Sequence, residues 1–347
     1  MPKRMNSPVE AKTLEKLKER PQRRCQDRHL EPIGEPIAKG VYLPELLRAD
    51  VLVDSSPTSA RGFKVFRAYG HEIPQTILEL GRLREETFRA VGEGSGLARD
   101  IDRFDPYYDH LIAFDKSRQE ITGAYRLGRI DNILAEKGVP GIYTNTLFNI
   151  ENLLMTEFNT GTLEAGRSFV RAEFQRGPTL LMIWSAISAF LSENPKYKCL
   201  IGAVSISDEF QENSKRLMVS YLMKHHPHEM SKQVTSKNPP TFDSNLSPEE
   251  ITSLVDASLD LKELQEFVRY AEGNPKAQIP QLIKLYIDLG FGFLAFNKDD
   301  DFNSIDGLIW LDVSKIPTPV ISRYMGEERW AKYSAYHQAK TPPSDSN

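Results

Sequence analysis

Residues 163–170 read Leu163-Glu-Ala-Gly-Arg-Ser-Phe-Val170, a strand-like run that carries a glutamate and an arginine. Beyond it, Thr179–Leu191 has the apolar spacing of a helix, and Cys199–Ile206 predicts a second buried strand. A buried charge is costly unless it is paired or functional. Glu164 and Arg167 therefore mark the first strand as a candidate site.

Strands and helices alternate on both sides of this unit. Before it, the pattern predicts a strand at Phe63–Tyr69, a helix over Ile73–Val91 and a hairpin of His110–Phe114 with Ile121–Leu127. After it come predicted helices at Asn213–His226, Ser247–Tyr270 and Ile279–Leu289, and strands at Gly292–Phe296 and Gly307–Val313. This order predicts an α/β (α+β) fold with a mixed central sheet flanked by helices.

Composition divides the chain into three predicted parts. Residues 1–61 are charged and proline-rich and predict a solvated, partly helical extension. Its clustered basic residues are Lys12, Lys16, Lys18, Arg20, Arg23, Arg24 and Arg28. A basic arm of this kind also suits contact with anionic lipid or an acidic carrier protein, and both interpretations stay open. Residues 62–330 form the predicted folded domain, with a helical insertion at about 213–275, and residues 331–347 form a predicted tail.

Charge and metal-binding residue types argue against two classes of partner. The net charge is -4 over 347 residues, so no positive field favours nucleic acid. The two cysteines, Cys25 and Cys199, lie far apart in unlike contexts, which predicts neither a disulfide framework nor a zinc site. The histidines near residue 226 and the acidic segment 299–304 match no metal motif, so we expect no metal.

The apolar stretches of the chain bear on its location. The first 28 residues are charged throughout and lack the apolar segment of a signal peptide. The longest apolar stretch, Leu180–Leu191, is shorter than the roughly 18 residues that suggest a membrane span. We therefore expect a cytoplasmic protein and leave open a peripheral contact with the inner face of the membrane.

Other charged residues interrupt predicted apolar segments in the same way as Glu164 and Arg167. They are Arg84, four residues before Phe88 in a predicted helix, Asp102 and Asp105 in the following loop, and Arg126 at the end of a predicted strand. A structural network of ion pairs and a functional site account for this set equally well.

The same residues, in this order, resemble a known family. Arg84-x-x-x-Phe88, Asp102-Arg-Phe-Asp105, Tyr125-Arg126-Leu127 and Glu164-x-x-Arg167 resemble the acyl-homoserine-lactone synthases. The chain is more similar still to the ornithine-lipid and glycine-lipid N-acyltransferases, often labelled hemolysin-like. The blocks that carry this likeness are Leu83–Glu93, Asp102–His110, Leu163–Val170, Gly202–Ser207, Ile279–Tyr286 and Asp306–Ile309. The resemblance covers about residues 63–326 and implies a GNAT-like fold.

The resemblance also implies an activity. It is the transfer of a long acyl chain, 3-hydroxylated or not, from acyl carrier protein to the α-amine of a small amino acid such as ornithine or glycine. This is the first step of aminolipid synthesis. No bound cofactor is implied, because the acyl-ACP thioester is a co-substrate. Two alternatives are an enzyme like the acyl-homoserine-lactone synthases, acting on S-adenosylmethionine, and a non-catalytic module that binds lipid or carrier protein.

Acylation of an amine requires that the amine lose a proton, because peptide α-amines have a pKa of about 7.7–8.0 and free amino acids a higher one. We predict Glu164 as the general base, directly or through water, and matching family positions agree. Arg167 would orient Glu164 or bind the substrate carboxylate, for which a guanidinium is well shaped. The other residues expected at the amino acid are Arg84, Phe88, Asp102, Asp105 and Arg126.

The acyl donor is expected on the segment Glu173–Thr179, which leads into a helix whose first amides can bind phosphate. Here Pro178 departs from the common acetyltransferase pattern and removes a donor amide, which favours a carrier-bound donor. The residues predicted to contact the donor are Val170, Gln175, Arg176, Gly177, Trp184 and Ser205. The spacing of Trp184 suits core packing as well as an acyl groove.

Overall fold

A mixed, mostly antiparallel sheet forms the centre of the computed structural model, which describes residues 8–19, 29–54, 62–155 and 158–339. The strands are β1 (Asp50–Asp54), β2 (Phe63–Tyr69), β3 (Asp109–Asp115), β4 (Glu120–Arg129), β5 (Phe148–Asn149), β6 (Thr162–Val170), β7 (Cys199–Ser207), β8 (Thr235–Ser236), β9 (Gly292–Asp299) and β10 (Ser304–Asp312). Eight of them form one sheet in the order β1-β2-β3-β4-β6-β7-β10-β9, and β5 pairs with β8.

Helices cover both faces of this sheet. They are α1 (Pro8–Lys18), α2 (Lys39–Leu46), α3 (Pro74–Arg89), α4 (Ile130–Lys137), α5 (Phe158–Gly161), α6 (Thr179–Glu193), α7 (Glu212–His225), α8 (Pro248–Ala257), α9 (Leu261–Glu272), α10 (Gln281–Leu289), α11 (Thr318–Met325) and α12 (Glu327–Gln338). Side chains of a strand alternate between faces, so Phe66 of β2 packs with α2 and α3 while its neighbour Val65 packs with α6. The predicted fold class is confirmed.

Among the described helices, none is both long and apolar enough to cross a membrane.

Strands β6 and β7 are parallel and separate after a short contact. They pair only where Thr162–Glu164 meets Cys199–Ile201. Beyond these positions, β6 continues along β4, and β7 continues along β10. The sheet therefore opens between the two strands, and backbone amides and carbonyls of both strands border the opening.

A bulge in β6 lies at this opening. Ala124 and Arg126 of β4 are two residues apart, but their partners in β6, Phe169 and Gly166, are three residues apart. Within the bulge, Arg167 has a φ of 51°. A residue other than glycine is costly in this region, by about 1–3 kcal/mol, and such residues cluster at functional sites.

Gly202 lies where the two strands begin to separate, and we expect its replacement by alanine to be destabilising. An added Cβ would lie 2.1 Å from the carbonyl oxygen of Ala165, a backbone atom that cannot move freely. Overpacking of this kind costs about 1–3 kcal/mol, measurable as a lower midpoint of urea unfolding. In the control Gly40→Ala, the added Cβ meets no atom within 4 Å, and stability should stay equal or rise slightly. If Gly202→Ala and Gly40→Ala had the same midpoint of urea unfolding, strands β6 and β7 would be able to move apart at Gly202 without cost.

The single helix predicted from Ser247 to Tyr270 is wrong, because α8 ends at Ala257 and α9 begins at Leu261. Asp260 causes the break. Its carboxylate accepts hydrogen bonds from the amides of Lys262 and Glu263, which caps the start of a new helix.

The described parts of residues 1–61 are partly helical and mostly exposed, and a few of their residues contact the body of the molecule. Strand β1 pairs with β2 at the edge of the main sheet, and Leu17 of α1 is buried. Residues 20–28, with much of the basic cluster, lie outside the described residues, as do residues 340–347. Helix α12 covers the start of the predicted tail and buries Tyr333. The domain boundaries stay predictions.

Candidate active site

A cavity occupies the opening between β6 and β7. It contains about 540 Å³ of empty space, including its mouth. Strand β6 contributes Gly166, Arg167 and Ser168 to its lining, and β7 contributes Ala203, Val204 and Ser205. Phe88, Tyr143, Phe302 and Asp306 are among the residues that complete its walls. The lining thus combines the charged groups of Arg167 and Asp306 with aromatic rings.

A second, apolar chamber adjoins this cavity. Its free interior is about 10 Å³, the room of roughly one water molecule, and Trp184 and Ile187 of α6 lie in its wall. The chamber and the cavity share Tyr125, Ala203 and Tyr286 as lining residues. The cavity therefore borders a closely packed apolar region of the core, from which the shared side chains separate it.

Three arginines and three aspartates form a buried network beside the cavity: Arg84, Arg126, Arg167, Asp100, Asp102 and Asp105, called the Arg–Asp network below. At its centre, Asp105 accepts two parallel hydrogen bonds of 2.9 Å from Arg84 and one of 3.0 Å from Arg126. Burial opposes the ionisation of Asp105, but the two guanidinium groups hold its pKa well below the usual range.

Arg167 joins the Arg–Asp network to the cavity. Its Nε lies 3.1 Å from Asp100 Oδ2 and its Nη2 lies 3.4 Å from Asp102 Oδ2. Its Nη1 donates a hydrogen bond of 3.0 Å to the Tyr143 hydroxyl. Asp102 also pairs with Arg126, at 2.6 Å. The structure thus brings five of the predicted site residues together, and of these Arg167 is the one that lines the cavity.

Glu164 is adjacent to the cavity rather than in its lining. Its Oε1 accepts a hydrogen bond of 2.5 Å from the amide of Thr144, and its Oε2 accepts one of 3.0 Å from the amide of Tyr143. The hydroxyl of Tyr108 donates to the same Oε2. Burial and the neighbouring carboxylate raise the pKa of Tyr108 well above its usual value, so this hydroxyl keeps its proton. Glu164 therefore fixes the segment that carries Tyr143, which forms part of the cavity wall.

Two carboxyl groups that the sequence analysis did not single out lie at the cavity. Asp306 lines it, and Glu93 accepts a hydrogen bond of 2.8 Å from the hydroxyl of Ser205, another lining residue. Burial raises the pKa of Glu93 to about 7. Burial, followed by the charges of Asp299 and Glu93, raises the pKa of Asp306 well above its usual value. Both residues occur in the sequence blocks quoted above. Neither lies inside a segment that the sequence analysis predicted to be buried, which was the criterion used to select candidate site residues.

The residues predicted to bind the donor are spread over the entrance and the interior. Gln175, Arg176 and Gly177 are exposed in the turn between β6 and α6, and Gln175 donates to the carbonyl of Val170 at 3.2 Å. Trp184 is in the wall of the apolar chamber, and Ser205 is in the wall of the cavity. The predicted donor residues therefore extend from the surface to the opening between β6 and β7.

Comparisons with known proteins agree with this architecture. Residues 83–185 match the family model described as an acetyltransferase (GNAT) domain. The chain is 30% identical to a glycine N(alpha)-acyltransferase of Bacteroides thetaiotaomicron, over 75% of this chain and 78% of that protein. It is also 30% identical to an L-ornithine N(alpha)-acyltransferase of Agrobacterium fabrum, over 71% of this chain and 78% of that protein.

Solved structures similar to the chain include that of a CoA-dependent acyl-homoserine lactone synthase, MesI. The two share 10% sequence identity and a TM-score of 0.33, over 76% of this chain and 95% of that chain.

Proposed function

Since the chain belongs to the family of the glycine and L-ornithine N(alpha)-acyltransferases, we propose that it transfers a long acyl chain from acyl carrier protein to the α-amine of a small amino acid. Glycine and ornithine are the candidate acceptors, because they are named for these relatives. The chain itself is an acyltransferase with a GNAT domain.

The observation that carries the proposal is the charged cavity that borders an apolar region of the core. Arg167 supplies a guanidinium at the cavity wall, which supports contact with the carboxylate of the amino acid. The apolar side chains beyond Tyr125 and Tyr286, Trp184 and Ile187 among them, support a path for the first part of the acyl chain, which must displace them to enter. The thioester would then lie between the cavity and this path, within reach of the amine.

The opening between β6 and β7 supports a donor with an extended, amide-containing arm. Phosphopantetheine, the arm of both coenzyme A and acyl carrier protein, has amide groups that can pair with strand backbone, as an added strand does. Arg176 is exposed near the start of α6, which supports contact with the phosphate of that arm. Pro178 caps this helix without a side-chain hydrogen bond and supplies no amide of its own, which supports a carrier-bound donor over coenzyme A.

The reaction forms one bond and breaks another. The neutral amine attacks the carbonyl carbon of the thioester, the new C–N bond forms, the C–S bond breaks, and the thiol leaves on the carrier. The nitrogen must lose a proton in this process. Glu164 stays our sequence-based prediction for the acceptor of that proton, although each of its oxygens already accepts hydrogen bonds. The product carries a long hydrocarbon chain, which supports contact of the enzyme with a membrane surface.

The test is incubation of the purified chain with palmitoyl-ACP or palmitoyl-CoA and single amino acids. We expect release of the carrier thiol and a product with the mass of an N-palmitoyl amino acid, faster with the carrier-bound donor. The variant Arg176→Ala should weaken the use of palmitoyl-ACP while leaving the fold intact, since Arg176 is exposed. Absence of any N-acylated amino acid, with both donors and folded protein, would overturn the proposal.

A further inference from the structure

We propose that Glu93 and Asp306 form a carboxyl pair that takes up the proton which the amine loses during acyl transfer. The pair is defined by these two residues, with Ser205 beside both. The inference rests on the proposed function and assigns the acceptor role to this pair in place of Glu164, whose oxygens already accept hydrogen bonds.

A tightly held loop positions Glu93. It lies between Gly92 and Gly94, whose φ values of 80° and 110° only glycine adopts without strain. The fully buried carboxylate of Glu85 accepts hydrogen bonds from the amides of Ser95 and Gly96, at 2.9 and 2.8 Å. This clamp fixes the loop from the side of α3.

The same loop is held from the opposite side by the turn between β9 and β10. The side-chain amide of Asn303 donates to the carbonyl of Gly92 at 2.7 Å, and the amide of Gly94 donates to the carbonyl of Phe302 at 3.1 Å. A rigid segment therefore holds Glu93 against Ser205, which lines the cavity, as proton transfer between fixed partners requires.

Asp306 reaches the same place from the sheet. In the antiparallel pairing of β10 with β7, Asp306 stands directly opposite Ser205. The hydroxyl of Ser205 donates to Glu93 at 2.8 Å, and Asp306 itself lines the cavity. Ser205 is thus adjacent to both carboxyl groups, and its hydroxyl is committed to one of them.

The charges around the pair leave it without a dedicated cation. The Arg–Asp network contains as many arginines as aspartates, and within the described residues no ion pair joins a cation to Glu93 or Asp306. The charge of Arg167 favours the ionised form of Asp306, whereas burial and the charges of Asp299 and Glu93 oppose it. Burial raises the pKa of Tyr143 to about 12, so its hydroxyl stays neutral. Because the pKa of Glu93 is about 7, this group is about half ionised near neutral pH, and a state of the pair with a single proton is populated there.

A pair that holds one proton and lacks a cation suits the substrate and the reaction. Its single negative charge attracts the ammonium group of the amino acid. The ionised carboxylate takes one proton from the ammonium, directly or through Ser205 or water, which leaves a neutral amine. The amine attacks the thioester carbon, the C–N bond forms as the C–S bond breaks, and a second proton passes from the nitrogen to the leaving sulfur, which departs as the carrier thiol. After the product leaves, the pair returns this proton to solvent. Glu164 differs because three donors already occupy its carboxylate.

The experiment measures acyl transfer as a function of pH for the full chain and the variants Glu93→Gln and Asp306→Asn, with palmitoyl-ACP and the amino acid that the wild type acylates. We expect each variant to lose roughly 10²–10⁴-fold in kcat/KM at neutral pH. The loss should shrink as pH rises, because the amine then arrives already deprotonated. Asp301→Asn, an exposed substitution in the nearby turn, should keep the wild-type profile.

Thermal unfolding of each variant separates lost chemistry from lost structure, because a damaged fold is not repaired by alkaline pH. The proposal would be overturned if either Glu93→Gln or Asp306→Asn kept the wild-type rate and the wild-type dependence of the rate on pH below neutrality. A wild type that acylates no amino acid would overturn the proposed function instead, so the two failures are distinguishable.

Discussion

Replacement of Asp105 by asparagine is expected to lower the free energy of unfolding by about 3–5 kcal/mol, because it leaves buried guanidinium groups without their shared carboxylate. Asp105 is fully buried and accepts hydrogen bonds from both Arg84 and Arg126. An asparagine keeps the shape but offers one accepting oxygen instead of two and no charge. Urea unfolding at neutral pH measures the loss.

The control for this prediction is Glu86→Gln on the same side of the molecule. Glu86 pairs with Arg82 at 3.0 Å, but its side chain is 57% exposed, so its loss should cost less than about 1 kcal/mol. If Asp105→Asn were no more destabilising than Glu86→Gln, the Arg–Asp network would contribute little to folding.

The same carboxylate makes stability depend on pH. The pKa of Asp105 is lower in the folded chain than in the unfolded chain, where it is about 3.9. Its contribution is therefore fully present above about pH 4 and is lost as the pH falls further toward the folded value. The stability advantage of the wild type over Asp105→Asn should therefore be constant from neutral pH to about pH 4 and shrink progressively as the pH falls below that value.

The variant Glu164→Gln is expected to lose both activity and stability. Turned one way, the glutamine NH₂ group faces the amide of Thr144 and leaves that buried donor unpaired. Turned the other way, it faces the amide of Tyr143, which then keeps only its 3.1 Å hydrogen bond to the Tyr108 hydroxyl. Either arrangement costs about 1–3 kcal/mol and displaces Tyr143 from the cavity wall. Turnover should fall at every pH, with the shape of the pH profile retained.

The matched control is Tyr108→Phe, which removes one donor to Glu164 and leaves both backbone amides paired. It should destabilise the chain less than Glu164→Gln and retain more activity. A Glu164→Gln variant that unfolds like the wild type and regains its rate at alkaline pH would instead identify Glu164 as the base.

The sequence predicted the fold well where local patterns decide the structure. Alternation placed β2 at Phe63–Tyr69, the residues at which the strand is found. The sequence marked Arg84, Asp105 and Arg126 as members of one set, from family order and from the cost of unpaired buried charge. The pattern could not tell that these guanidinium groups point at carboxylates rather than into the cavity, because that depends on how α3 crosses β4.

Glu93 and Asp306 show why the remainder of the site was missed. Glu93 lies in a glycine-rich loop, where an acidic residue reads as ordinary solvated surface. Asp306 is more than 200 residues away in the chain, at the start of a strand. Only the pairing of β10 with β7 and the closure of the loop on Phe302 and Asn303 bring the two together.

The brief pairing of β6 with β7 has a mechanical consequence. Three register positions join one half of the sheet, with β1 to β4 and β6, to the half with β7, β10 and β9. A donor arm lying in the opening would form backbone hydrogen bonds with β6 and β7 where the two strands do not pair. These bonds would extend the connection between the two halves of the sheet. Binding of the acyl donor in this opening should therefore make the entire protein more rigid. The enzyme would be most rigid when the acyl donor is bound.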